Sequence, residues 1–272
     1  MWLSFVLLAA AMPERIISTA PSFTEMLFAV GAGEKVVAVS TYCHFPASVD
    51  KLPRIGSYLK PNVEAIVRLK PDLVLVHAEQ PQVAQQLAAL GIKTLALRNT
   101  GLEETLRSAT EIGKAVGRER EGAALEAKLR AGLAAIAKRT ATGRPKSILF
   151  VVGRTPGRLD GMVVVGKGSF LNELMQVAGG RNVMGDSPVT YPKISLEGVM
   201  RLDPDVIVDM GDMAVTTGVT QGHIDAVVRL WQGQQGLRAV QAKKVFAVAA
   251  DIYVVPGARV TEAAEAFRRM LQ

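Results

Sequence analysis

The chain has 272 residues, 49% apolar and 21% charged, which supplies core material for two modest domains and excludes a disordered chain. Its formal charge of +7 is scattered, as at Lys51 with Arg54 and Arg268 with Arg269. That describes a solvated basic surface and excludes the clustered stripe of a nucleic-acid interface. The single cysteine, Cys43, excludes an intramolecular disulfide and reads as a small buried hydrophobe.

Leu3 to Met12 form an apolar run too short for a bilayer span of roughly 20 residues. It ends in Ala9, Ala10 and Ala11, as a signal-peptide core does before its cleavage site. Residues 1–12 are therefore read as a signal-peptide remnant, the other reading being a buried first strand. Export implies a soluble periplasmic protein, and Cys43 lies too far along the chain to be a lipid-anchored cysteine.

Beyond this run, short apolar segments alternate with helical patterns. Arg15 to Ser18, Val36 to Val39, Leu73 to Val76, Thr94 to Leu97, Ile148 to Val152, Val206 to Val208 and Val245 to Val248 read as strands. Nearly continuous apolar strands separated by helix-length segments predict parallel sheets covered on both faces, an α/β fold. Ser22 with Glu25 suggests a capping box opening a helix that runs to Gly31. Asn62 and Ser195 read as N-caps of helices closed by Pro71 and Pro204.

The sequence also echoes itself. NVEAIVRLKPDLVL over 62–75 matches SLEGVMRLDPDVIV over 195–208, and SFTEMLFAVGAGEKVV over 22–37 weakly matches SFLNELMQVAGGRNVM over 169–184. The same order in each half implies two lobes on one supersecondary plan. Between them, Leu102 to Arg139 carries no strand signal, and Gly117 should divide it into two helices. Leu125, Leu129, Leu133 and Ile136 share one face of the second. The expected division is an N-terminal lobe over 13–117, a linker helix over 118–142 and a C-terminal lobe over 143–272.

TYCHFPA over 41–47, LPRIGSYLKPNVEAIVRLKPDLVLV over 52–76 and YPKISLE over 191–197 resemble the periplasmic cobalamin-binding proteins of ABC importers. More broadly they resemble the helical-backbone receptors for corrinoids, ferric siderophores and haem. The resemblance implies two Rossmann-like lobes with parallel sheets joined by one long helix, small closure on binding, and a large flat ligand gripped in an interlobe cleft. It implies cobalamin or a related corrinoid as transported ligand and no resident cofactor, with haem or a ferric siderophore as the alternative. Tyr42, Phe45, Tyr58, His77 and Tyr191 stand where that family lines its cleft with aromatics, and Asp251 resembles a polar cleft residue, although Val255 replaces an arginine expected after it. Glu64 and Glu197 match the pair that docks onto arginines of a two-subunit inner-membrane permease, one glutamate per lobe.

Physical chemistry bears on each of these positions. Rigid aromatic rings cover a flat macrocycle at little entropic cost. Tyr58 with His77 could instead be axial ligands of haem iron. Glu64 and Glu197 sit in first helical turns, where a carboxylate gains about 0.3–1 kcal/mol from the helix dipole. His44, His77 and His223 are too far apart in sequence to suggest zinc, so no metal site is expected. GMVVVGKGS over 161–169 approaches a phosphate loop, but Gly168 follows Lys167 where Ser or Thr is required. Its MVVV reads as a strand, and Ser169 as the cap of the next helix. No enzymatic constellation emerges.

Overall fold

A computed structural model describes residues 12–141, 143–211 and 220–272; the expected signal-peptide run, save Met12, lies outside them. The described residues divide into two compact α/β units, one running to Arg98 and including 107–126, the other comprising 99–106 and the chain from Ala127 onward.

The first unit holds β1 (Ile16–Ser18), α1 (Pro21–Ala29), β2 (Val36–Val39), α2 (Val63–Arg68), β3 (Leu73–His77), α3 (Pro81–Ala89) and β4 (Thr94–Leu97). Its sheet has the order β2-β1-β3-β4, with every pair parallel. Ile16, Ile17 and Leu73 to Val76 are at most 1% exposed, which is why these strands are apolar on both faces. Each such aliphatic side chain contributes about 1.5–3 kcal/mol on burial.

Asn62 Oδ1 accepts the Ala65 amide at 3.0 Å and caps α2 as expected. The capping box at Ser22 does not form: α1 starts two residues earlier, with Pro21 as its first residue, Ala20 as N-cap and no side-chain cap bond. Proline's fixed φ and missing donor suit that position, which draws Ser22 into the helix.

After β4 come α4 (Leu102–Ala115) and α5 (Glu119–Thr140), separated at Gly117 with φ +71. Both helices contribute residues to each unit. Within the first unit their backbones touch: a Cβ on Gly122 would lie 2.6 Å from the Ala109 carbonyl oxygen. Within the second unit, Glu173 accepts the Leu102 amide at 3.2 Å, Phe170 donates its amide to Thr100, and Leu129, Leu133 and Ile136 are buried.

The second unit continues with β5 (Lys146–Gly153), β6 (Met162–Val164), α6 (Phe170–Val177), β7 (Gly180–Asn182), β8 (Lys193–Ile194), α7 (Leu196–Leu202), β9 (Val206–Asp209), α8 (Gln221–Gln232), α9 (Arg238–Gln241), β10 (Val245–Ala247) and α10 (Val260–Leu271). Its six-stranded sheet runs β10-β9-β5-β6-β8, with β7 also on β5. The pairs among β10, β9, β5 and β7 are parallel, whereas β6 is antiparallel to β5 and β8, so this sheet is mixed. Ser169 and Ser195 cap α6 and α7 through the amides of Leu171 and Gly198. Trp231 lies fully buried against Leu149, Val151 and Ile207.

Candidate ligand-binding site

Parallel α/β sheets offer ligands the loops beyond the carboxyl ends of their strands. In the first unit, β3 ends in His77, the loop after β2 carries Tyr42 and Phe45, and the loop before α2 carries Tyr58. The structure brings three of these together in a run of rings. Tyr42 and Tyr58 lie 6.1 Å apart edge to face, Tyr58 and His77 lie 6.0 Å apart, and His77 rests 4.8 Å from the buried ring of Phe23. Tyr42 is 52% exposed and Tyr58 38%, so the run begins at the surface and ends in the core. Phe45 is exposed on the same loop as Tyr42.

The Tyr58 loop is tightly built. Gly56, at φ +91, turns the chain where a Cβ would meet the Lys60 carbonyl oxygen at 2.9 Å, and Asn62 donates its amide to Ile55. Gln80, just after β3, donates its side-chain amide to the carbonyls of Tyr58 and Leu59 at 2.9 and 3.3 Å. Burial lowers the His77 pKa below its ordinary value, against the weaker pull of Glu79 with its carboxylate 3.9 Å away. Burial thus favours the neutral imidazole, an aromatic ring packed between Tyr58 and Phe23. Cys43 lies beneath this loop region, buried, with Thr24 and Ser40 hydroxyls each 3.2 Å from its sulfur; burial raises its thiol pKa.

In the second unit, Tyr191 is 45% exposed, with its hydroxyl 3.3 Å from the Ser169 hydroxyl. Its loop leans on Gly166, whose amide bonds to the Thr190 carbonyl and where a Cβ would fall 2.1 Å from the Val189 carbonyl oxygen. The phosphate-loop-like stretch therefore seats the Tyr191 loop, with β6 running through it.

Asp251, after β10, pairs with Arg259 at 2.9 Å. The cation that meets Asp251 thus stands at 259, eight positions along, while Val255, where the resemblance expects an arginine, is buried. Glu64 and Glu197 are both exposed in the first turns of α2 and α7. The backbone amide of Glu197 and the Ser195 hydroxyl hold the Glu197 carboxyl below the usual range. A hollow of about 490 Å³ flanks Glu197, lined also by Asp160, Lys193 and Leu196. Among the described residues, no three His, Cys, Asp or Glu side chains gather where they could hold a metal ion.

The model of the family described as periplasmic binding protein matches residues 16–252. The chain belongs to this family. It is a solute-binding protein and not an enzyme, and as the substrate-binding component of an ABC importer it has a permease as partner. It is 33% identical over 235 residues, 85% of this chain and 79% of the relative, to a vitamin B12-binding protein of Yersinia pestis (strain Pestoides F). Among solved structures, the periplasmic vitamin B12 binding protein BtuF of Vibrio cholerae superposes with a TM-score of 0.79 at 28% identity, covering 95% of this chain and 96% of that one. The periplasmic heme binding protein HutB of Vibrio cholerae superposes with a TM-score of 0.81, covering 94% and 98%, but at 23% identity it attests the fold alone. Among the described residues of this periplasmic binding protein, no helix is long and apolar enough to cross a membrane.

Sequence reasoning singled out the exposed aromatics and missed what holds them. Phe23 backs His77, Gln80 grips the Tyr58 loop, Leu59 is 69% exposed beside Tyr58, and Arg259 answers Asp251. The one local signal was Gln80 before Pro81, a poor N-cap type at a helix start.

Proposed function

We propose that this binding protein captures a corrinoid of the cobalamin class and delivers it to the permease of an ABC importer. The observation that carries the reading is the run of Tyr42, Tyr58 and His77 at the carboxyl end of a parallel sheet. An exposed face of rings over a buried aromatic base suits a broad, flat, largely apolar ligand. Phe45 extends that face; Tyr191 and Asp251, which the resemblance assigns to ligand contact, are the candidates of the second unit. The relatives named for vitamin B12 support this choice. Haem is the second reading, favoured by Tyr58 and His77 lying ring against ring, since both side chain types ligate haem iron.

In this reading the protein is exported to the periplasm and works there in soluble form without a resident cofactor. Glu64 and Glu197, exposed at matching positions of the two units, dock onto basic side chains of the permease dimer and set register more than bulk attraction.

The test is a visible-absorbance and calorimetric titration with cyanocobalamin, haemin and a ferric siderophore. Cyanocobalamin should bind one to one, and the Tyr58→Ala/Tyr191→Ala double variant should bind about tenfold or more weakly, each ring supplying about 0.5–1.5 kcal/mol beyond buried area. Unchanged affinity in that variant moves the site elsewhere. Binding of haemin alone replaces the corrinoid reading with its rival.

A further inference from the structure

Gln80 is the N-cap of α3, yet its side chain makes no hydrogen bond to that helix. Ser, Thr, Asp or Asn would normally stand there and satisfy one of the helix's free amides. The Gln80 amide instead reaches a loop 22 residues earlier in the chain, donating from Nε2 to the carbonyl oxygens of Tyr58 and Leu59. Two carbonyl acceptors fix which end of the amide is nitrogen. Oε1 therefore lies on the opposite side, where it is buried without a hydrogen-bond partner.

Both features cost stability: a helix start is left uncapped, and a buried acceptor is left unpaired. Local rules broken together without a local gain mark positions kept for function. The gain here is a hold on the segment that carries Tyr58 and Leu59, respectively 38% and 69% exposed. The backbone hydrogen bonds of this segment include those from Lys60 to Ser57, from Asn62 to Ile55 and from Thr41 to Gly56, none of them to the carbonyls of Tyr58 or Leu59.

We propose that Gln80 is a positioning residue for ligand capture, clamping the Tyr58–Leu59 backbone so that both side chains form one preorganised face, with Leu59 a ligand contact beside Tyr58. The proposal rests on the reading that Tyr58 covers the ligand. Holding the loop in its bound form before the ligand arrives removes an ordering cost from binding.

The deciding variant is Gln80→Asp, which supplies the missing cap but is too short to keep the clamp. Its melting temperature should hold or rise, while its dissociation constant for cyanocobalamin rises about three- to tenfold, the equivalent of one or two lost hydrogen bonds. Hydrogen exchange of the Leu59 and Lys60 amides, measured without ligand, should quicken. Gln80→Leu should show the same loss of affinity and the same faster exchange. In a Tyr58→Ala background either change should add little, because residues acting through one another are not additive.

Unchanged affinity with unchanged exchange overturns the clamp. Parallel loss of stability and affinity in Gln80→Asp overturns it in favour of a purely structural role. If the wild type binds haemin and not cyanocobalamin, the same comparison is read with haemin. If it binds neither, the functional reading falls, and the exchange rates alone decide whether Gln80 holds the loop.

Discussion

Asp209 offers the sharpest test of how the second unit is built. It ends β9, is fully buried, and accepts three donors: Arg154 Nε at 2.8 Å, Trp231 Nε1 at 2.6 Å and the Gly211 amide at 2.6 Å. The Arg154 side chain is itself only 2% exposed and also donates to the carbonyls of Thr155 and Arg158. Asp209→Ala would strand a buried guanidinium, and removing one partner of such a pair costs about 3–5 kcal/mol. The indole and the Gly211 amide lose their acceptor as well, each worth about 1–3 kcal/mol if no water replaces it. A loss of about 5 kcal/mol is therefore expected, a large part of a whole domain's stability of about 5–15 kcal/mol. Trp231→Phe, which removes one donor, should cost only about 1–2 kcal/mol. In Arg154→Met/Asp209→Leu the stranded charge is gone, so this double variant should be more stable than Asp209→Ala. Urea titration followed by circular dichroism gives all three values, with comparable slopes required for the comparison. A loss below about 1 kcal/mol in Asp209→Ala at an unchanged slope would refute a dry, paired carboxylate at this position.

Two further outcomes are expected. His77 binds a proton less readily folded than unfolded, because burial lowers its pKa, so stability should fall as pH drops through its ordinary 6.5 and level off below the folded value; His77→Phe should lack this share of the acid loss, and identical pH profiles of melting temperature would count against a buried, neutral imidazole. Glu64→Lys/Glu197→Lys should leave melting temperature and ligand affinity nearly unchanged while abolishing transport in a reconstituted importer; transport at the wild-type rate would remove the docking role.

Much of the fold was legible because parallel strands covered on both faces have to be apolar throughout. Val36–Val39, Leu73–His77 and Val206–Asp209 carry that signature openly. β7 and β8 have three and two residues, Gly180–Asn182 and Lys193–Ile194, too short for any period to register. At Ser22 the local motif lost to its neighbour: Pro21 is better suited to the first turn than Ser22 is to the cap. In the site, exposed aromatics after strands could be read directly, since ring type and loop position are local properties. The supports could not, because each joins distant segments: Gln80 to the Tyr58 loop, the His77 ring to Phe23, and Thr24 to Cys43.

The repeated segment shows which identities local physics requires and which it leaves open. Asn62 and Ser195 each accept an amide three residues on, at 3.0 and 3.2 Å. Lys70 and Asp203 both take positive φ, 47° and 40°, where the chain leaves its helix. Asp72 then accepts the amides of Glu14 and Arg15, and Asp205 accepts the amide and hydroxyl of Ser147. In each unit, the aspartate after the proline thus ties the start of its own strand to the start of the next strand in the sheet. Cap and aspartate are accounted for by these jobs in both halves. The glutamates are not: a helix dipole rewards an acid anywhere in the first turn, and Glu197 is steadied by its own amide and Ser195 without that contact demanding a glutamate at position 64. Because folding leaves their match unexplained, the proposed docking role of Glu64 and Glu197 is decided by transport and not by stability.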